Sequence, residues 1–423
     1  MKMRQDEDKN SILPPVDSIL ADLEISPATI KYIQPRSKRS QYRAIVNWLT
    51  RYQPDSDASN LAKVQGLLET FYHLCNLRQW EQAAKILFTR LNTPNQDPLH
   101  IQLSYWGYYT QQIALYMQIL DKLSPQKNAI FLNSLGSVYS DLGDYDRALH
   151  CHQKNLKVGK ELQDQFLLTS ALTGIGEIYH ILGNYHEAIQ YQQLCLKISR
   201  KINNIVSEAR SLNGLGNTFN SLGLYHEAIQ YHQKSLTLFQ EIGDRYSEGS
   251  TLSYIATVYH SLGEVRKAIA YHQKHLQIAR QLGHRKGLTN ALGGLGNCYT
   301  SLANYSQAIA CHEEQLAIAK NIGYRQGEVN ALISLGINCM RLDRYPEALN
   351  NLEQSLQIFR LLGHREGEAH SLHKIAELYQ KLDNRKLAIE DCDRALAIAT
   401  ELDIPLAEEC RKLKIELEAQ SCN

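Results

Sequence analysis

From Ala129 to Glu408 the sequence repeats with a 40-residue period, seven times, without insertion or deletion. Aligned on that period, one column reads Leu142, Leu182, Leu222, Leu262, Leu302, Leu342 and Leu382. A second reads Ala148, Ala188, Ala228, Ala268, Ala308, Ala348 and Ala388, and a third Tyr139, Tyr179, Phe219, Tyr259, Tyr299, Cys339 and Tyr379. A unit this short cannot bury its own apolar face, so each copy needs a neighbour and the copies stack into a solenoid. Such an array offers a long surface to partners more readily than an enclosed pocket for chemistry.

The copy Ala209–Glu248 shows what one unit folds into. Leu212, Leu215, Gly216 and Phe219 fall at i, i+3, i+4 and i+7, one face of a first helix. Glycine inside a helix costs about 1 kcal/mol relative to alanine. Its recurrence as Gly or Ala at the position of Gly216 predicts that another helix crosses closely there. Gly223 ends the first helix, because glycine accepts the left-handed conformation just past a C-terminus. Tyr225 opens a second helix with Ala228, Ile229, His232, Leu236 and Phe239 on its buried face. Ile242 and Gly243 stop it, and Gly283, Gly323 and Gly363 repeat that stop. The expected fold is all-α: a right-handed superhelical solenoid of antiparallel helix pairs.

The flanks are less regular. Residues 1–60 carry Pro14, Pro15, Pro27, Pro35 and Pro54, half of the ten prolines, and are expected to be partly disordered with one short helix near Gln41–Arg51. Six basic residues and no acidic one lie between Lys31 and Arg51. In residues 61–128, Phe71, Leu74, Leu77, Trp80 and Ala83 copy the spacing of Gly136, Tyr139, Leu142, Tyr145 and Ala148. A second worn copy runs through Trp106, Gly107, Tyr108 and Tyr109 to Leu123. This region is read as degenerate repeats forming an N-terminal cap. Leu406, Cys410, Leu413 and Leu417 give a helical stripe over residues 404–420, a C-terminal capping helix that overlaps the last of the units in 129–408.

The pattern L-x2-L-G-x2-Y…A resembles the tetratricopeptide signature, with Leu212 where tryptophan is usual and His232 where an aromatic is common. The period exceeds the usual ~34 residues. This long variant is similar to the repeats of the LGN/Pins cell-polarity adaptors, whose Leu-Gly-Asn tripeptide reads here as Leu215-Gly216-Asn217 and Leu295-Gly296-Asn297. It is also similar to bacterial multi-repeat proteins of the type abundant in cyanobacteria. The adaptors' C-terminal G-protein-binding motifs are absent, so that role does not carry over. The resemblance implies a concave groove lined by first helices. The predicted floor runs through Asn133, Thr173, Asn213 and Ser253, then Asn217, Thr257 and Asn297, then Asn220, His260 and Thr300, with Arg210, Asn290 and Asn330 in front. Asparagine both donates and accepts, so a ladder of it can pair with the backbone of an extended peptide. The resemblance adds that the adaptors hold partner peptides with Asn and Arg at such positions, and Arg210 matches one.

A net charge of +1 argues against nucleic acid or a membrane surface as partner. Nine cysteines without a C-x-x-C pair suit a reducing compartment. The start has no apolar signal core, and no run approaches a membrane span, so a cytoplasmic location is expected. Among sixteen histidines, His152, His232, His272 and His312 form a column, one per unit, too far apart to share a metal ion and better read as buried substitutes for aromatics. Arg245, Arg325 and Arg365 precede Glu248, Glu328 and Glu368 by three residues, a spacing for ion pairs that hold the links between units. No metal, cofactor, phosphate-loop or nucleophile motif stands out. The sequence therefore predicts a non-enzymatic scaffold or adaptor that binds a partner peptide in its groove. The alternative is a regulatory or complex-assembly factor acting through its basic N-terminal region, with the repeats as sensor.

Overall fold

The computed structural model describes residues 12–419 other than 56, 94, 95, 363 and 403. They form 22 α-helices and no named strand. Seven belong to the N-terminal part: α1 (Val16–Asp22), α2 (Arg36–Arg51), α3 (Asn60–Lys63), α4 (Gln65–Asn76), α5 (Trp80–Phe88), α6 (Leu99–Trp106) and α7 (Tyr109–Ile119). Seven helix pairs follow. Units 1 to 3 are α8 (Pro125–Asp141) with α9 (Tyr145–Glu161), α10 (Gln165–Ile181) with α11 (Tyr185–Lys201), and α12 (Ile205–Ser221) with α13 (Tyr225–Glu241). Units 4 and 5 are α14 (Arg245–Ser261) with α15 (Val265–Gln281), and α16 (Arg285–Ser301) with α17 (Tyr305–Ile322). Units 6 and 7 are α18 (Arg325–Arg341) with α19 (Tyr345–Leu362), and α20 (Arg365–Lys381) with α21 (Arg385–Glu401); α22 (Leu406–Ala419) closes the array. Consecutive helices pack antiparallel, and each first helix also touches the first helix of the next unit, giving a right-handed superhelical solenoid.

Local chemistry sets these boundaries. Asp144, Asn204, Asp244, Asn304 and Asn384 cap helix starts by accepting from backbone N–H groups. Gly223 takes φ 77° past the first helix, as its position predicts, whereas the same position in the last three units is Ala303, Asp343 and Asp383, each at φ 56°. Gly363 lies outside the described residues. Within a unit the aromatic column stacks on the second helix: Tyr179 on Tyr191 at 5.5 Å, Phe219 on Tyr231 at 5.2 Å and Tyr259 on Tyr271 at 5.5 Å.

A second helix does pack closely at the helix-interior glycines, and what fills the contact is one of its side chains. A Cβ on Gly216 would meet the His232 ring at 2.6 Å, not a crossing backbone. His152 sits between Gly136 of its own first helix and Gly174 of the next, and Gln192 sits likewise between Gly176 and Gly214. A planar side chain from the second helix thus slots between two first helices, and glycine makes room for it. The histidine column is buried throughout. His232 Nδ1 lies 3.0 Å from Asn213 Oδ1, and His312 Nδ1 lies 3.0 Å from Gln315 Oε1.

The N-terminal part is more ordered than its prolines suggest. From residue 12 onward it holds α1, a 3-10 turn (Ile30–Tyr32) and α2, with Ile19, Leu20, Leu23, Ile25 and Ile30 buried in a core shared with α4 to α8. Hydrophobic contact from this core, absent from a reading of local composition, offsets the entropy of ordering the segment. The helix expected near 41–51 begins at Arg36. Residues 1–11 lie outside the described ones. At the other end Leu406, Cys410, Leu413 and Leu417 of α22 bury against α20 and α21.

Candidate functional site

First helices face inward. Charged and aromatic groups from distant units converge there: Asp141 of unit 1, Glu177 of unit 2, Arg210 of unit 3, Tyr246 and Tyr254 of unit 4, Lys286 of unit 5 and Tyr324 at the start of unit 6 all lie within electrostatic reach of Lys286, Tyr246 or Glu177. These groups therefore enclose a shared space between the units, the throat. Glu177 and Tyr254 are both exposed to water, yet the surrounding protein partly desolvates them. Burial within the throat pushes the Glu177 carboxyl above its ordinary value against the pull of Arg210 and Lys286. The same burial, with the charge of Glu177, pushes the Tyr254 phenol up to about 12, with nearby Asn217 opposing the rise.

Apart from Asn217 and Asn220, both half-buried, the predicted groove residues divide into three sets. Thr173 and Asn213 do not line a groove. Both are buried: Thr173 donates to Thr169 O at 3.0 Å and contacts Cys195 Sγ at 3.3 Å, and Asn213 donates to Thr251 Oγ1 at 2.7 Å. A position that looks outward on a helical wheel is covered because the neighbouring first helix packs over it. A second set is committed to bonds within or between units. Asn133 accepts from Asn155 at 3.4 Å, and Ser253 Oγ lies 3.5 Å from His272. His260 bonds Ser301 at 2.8 Å, Thr300 donates to Asn338 at 3.0 Å, and Thr257 donates to Ser253 O at 3.1 Å. Asn220 Oδ1 is buried without a hydrogen-bond partner. The third set is exposed: Arg210, Asn290, Asn297 and Asn330, of which Asn330 accepts from Gln326 at 3.0 Å. Asn290 and Asn297 have no side-chain hydrogen bond to the described residues.

The sequence reading misses the residues at the rim of the throat. Tyr105 of α6 stacks on Tyr246 at 4.6 Å and meets His284 edge-on at 5.2 Å. Burial pushes the His284 imidazole down to about 3, with Lys286 adding to the effect. A signal was present: Phe166, Val206 and Tyr246 occupy one column in the first turn of successive first helices, where polar residues are usual. Phe166 is 61% exposed, so the column is not core.

Ion pairs tie the links. Arg325 and Arg365 reach Glu328 and Glu368 at 2.7 and 3.2 Å, and Arg245 pairs with Glu248. Arg285 instead donates to Asn321 at 2.9 Å. The basic residues Lys31, Arg36, Arg43 and Arg51 are exposed. Among the described residues no three His, Cys, Asp or Glu side chains converge to hold a metal ion, and no helix is long and apolar enough to cross a membrane.

A profile described as tetratricopeptide repeat matches residues 127–201, 167–241, 206–281, 247–321, 287–361 and 327–401. No curated protein matches the chain. Among solved structures, the APC/C hetero-tetramer Cut9-Hcn1 aligns with a TM-score of 0.58 at 16% identity, covering 96% of this chain and 67% of that one. A Rap protein complexed with Competence and Sporulation Factor aligns at 0.54 and 14%, covering 83% and 99%. A STAND signal-transduction ATPase with a tetratricopeptide repeat sensor from Pyrococcus horikoshii aligns at 0.51 and 15%, covering 91% and 56%. At these identities the likeness is one of fold.

Proposed function

The chain belongs to the tetratricopeptide repeat family, and from that premise we propose that it is a non-enzymatic adaptor whose inner wall holds an extended segment of a partner polypeptide. The observation that carries this reading is the division of the inner-wall polar groups. Most of them are spent on the protein's own hydrogen bonds, but Asn290 and Asn297 are exposed and unspent, and Arg210 is exposed beside the enclosed carboxylate of Glu177. Amides in that state can pair with a peptide backbone, and the Arg210–Glu177 neighbourhood can orient its charges. The Rap protein, solved with Competence and Sporulation Factor, and Cut9, solved with Hcn1, set a precedent for partner capture on this fold.

The test is selection of displayed random peptides on the intact protein, followed by affinity measurement on Asn290→Ala/Asn297→Ala/Asn330→Ala. These side chains are exposed, so their truncation leaves the fold intact. Loss of two or three net hydrogen bonds, at about 0.5–1.5 kcal/mol each, weakens binding roughly fivefold or more. Selected peptides that bind the triple variant as tightly as the parent would refute the groove.

A further inference from the structure

The superhelix closes on itself through contacts that its repeat pattern does not call for. Tyr105, near the end of α6, inserts beside Tyr246 and His284, whose rings are themselves 4.5 Å apart. Gly107 leaves that helix at φ 83° and lies so close to Ile322, the last residue of α17, that a Cβ there would overlap it. Only glycine suits both the conformation and the approach. Tyr109 follows, buried, its hydroxyl without a partner. Asp141, the last residue of α8 in unit 1, pairs with Lys286 of unit 5, 145 residues on, and the Lys286 ammonium sits 5.4 Å from the Tyr324 ring. The cap and unit 1 thereby grip units 4 and 5, neither of them a neighbour in the stack.

The joint differs in kind from the packing elsewhere. Tyr105, Tyr109, Tyr246, Ile322 and Lys286 belong to none of the protein's hydrophobic clusters. The grip consists of stacked rings, a glycine contact and one ion pair joining two bodies whose cores lie elsewhere. Units 2 to 4, which span the arc between them, bury serine, threonine, asparagine and histidine among their apolar side chains, and their apolar clusters are small. An arc whose apolar clusters are smaller than those of the ends deforms more easily than they do. We propose that this joint is a clasp: closed, it rings the throat; open, it lets a bulky polypeptide in from the side. The proposal stands on the geometry of closure and does not depend on what the groove holds.

A reporter thiol in the throat tests it. In the full chain, Cys311→Ser/Cys422→Ser removes the half-buried and the C-terminal thiols, and Glu177→Cys places a new one inside the ring. Its alkylation is timed with N-ethylmaleimide and with a maleimide carrying a bulky polyethylene-glycol chain. Two variants open the clasp by different means: Tyr105→Ala/Lys286→Met removes its stack and ion pair, and Gly107→Val wedges it from Ile322. Each is expected to speed the bulky reagent about tenfold or more while changing the small reagent less than about twofold, because opening shifts a population rather than the thiol's chemistry. Small-angle scattering is expected to show a larger maximum dimension in both variants. Equal bulky-reagent rates in parent and variants, or unchanged scattering, would overturn the clasp. So would collapse of the helical circular dichroism in both variants, which would make the joint a requirement for folding.

Discussion

His232 and Leu352 occupy the same place in the template, three units apart, and their surroundings differ throughout. Leu352 fills the space over Gly336 within one apolar cluster that runs through Leu335, Leu356, Leu372, Ile375, Ile398 and Leu413 to the C-terminal cap. His232 lies between Gly216 and Tyr254, bonds Asn213 with one nitrogen and leaves the other buried without a partner. In its unit and the next, Ser207, Ser211, Thr218, Ser235 and Thr251 are buried; the last two units keep buried Ser355 and Ser371 but add more buried leucine, isoleucine and alanine, Leu378 and Ala395 among them. The N-terminal end resembles the C-terminal one: Phe71, Leu74, Leu87, Leu103, Tyr116 and Phe131 share a single cluster. One backbone plan thus carries two interiors. Apolar burial stabilises the ends in proportion to area removed from water. In the middle, hydrogen bonds offset desolvation with a small net gain, and each orphaned atom costs free energy. The middle is also where the throat and the clasp's receiving surface lie, so the softest arc is the one the proposed opening would bend.

The largest expected effect comes from making one truncation in both interiors. Leu352→Ala should cost about 3–5 kcal/mol and Leu236→Ala, in a small cluster between polar layers, about 2–3 kcal/mol, read as lost hydrogen-exchange protection unit by unit. A larger loss at Leu236 would break the comparison.

Acid sharpens it. Burial pushes His232 and His272 down to about 3, with His275 and His260 adding to the effect at His272, and burial pushes His275 down to about 4, against an ordinary value of 6.5. Below 6.5 the unfolded chain takes up protons that the folded chain refuses, so stability falls as pH drops and levels off near 3. Each such histidine contributes up to about 1.4 kcal/mol per pH unit within that window. At the C-terminal end Glu377 behaves differently. Burial raises its carboxyl, but hydrogen bonds from His373 and Lys374 outweigh this and hold it down to about 2, so its contribution persists until the pH falls below the ordinary carboxylate range. Between pH 7 and 5, α12 to α15 should lose exchange protection before α20 to α22. His232→Leu should make the decline shallower. Equal losses in both regions would remove the distinction.

The smallest effect concerns the turn. Ala303 sits at φ 56°, where glycine serves in the earlier units. Ala303→Gly should stabilise by up to about 1 kcal/mol, since relief of left-handed strain slightly exceeds the added chain entropy. A lower melting temperature in this variant would contradict that reading.

Much of this was open to sequence reasoning because repetition makes local signals redundant. Leu212, Leu215 and Phe219 set the first helix, Gly223 its end, Ala228 and Leu236 the second helix, and seven copies repeat the statement. The buried histidine column was legible for the same reason. The partner of Gly216 was not, because a helical wheel shows which face is crowded but not whether a backbone or a ring crowds it. Thr173 and Asn213 were misplaced on the groove because the rotation between neighbouring units, which brings one first helix over the next, is written in no single unit. The helices of residues 12–60 were under-read because prolines report on backbone freedom and not on what Ile19 and Leu23 will find to pack against.

The period alone determined the class of fold: side chains spaced on a helical face must be buried, and identical units can bury them only by stacking. How far that stack curves, and therefore that Asp141 meets Lys286 and Tyr105 meets Tyr246 across 141 residues or more, was decided by the tertiary structure. Small rotations between units add along the array, and their sum is a property of the whole molecule that no repeat contains.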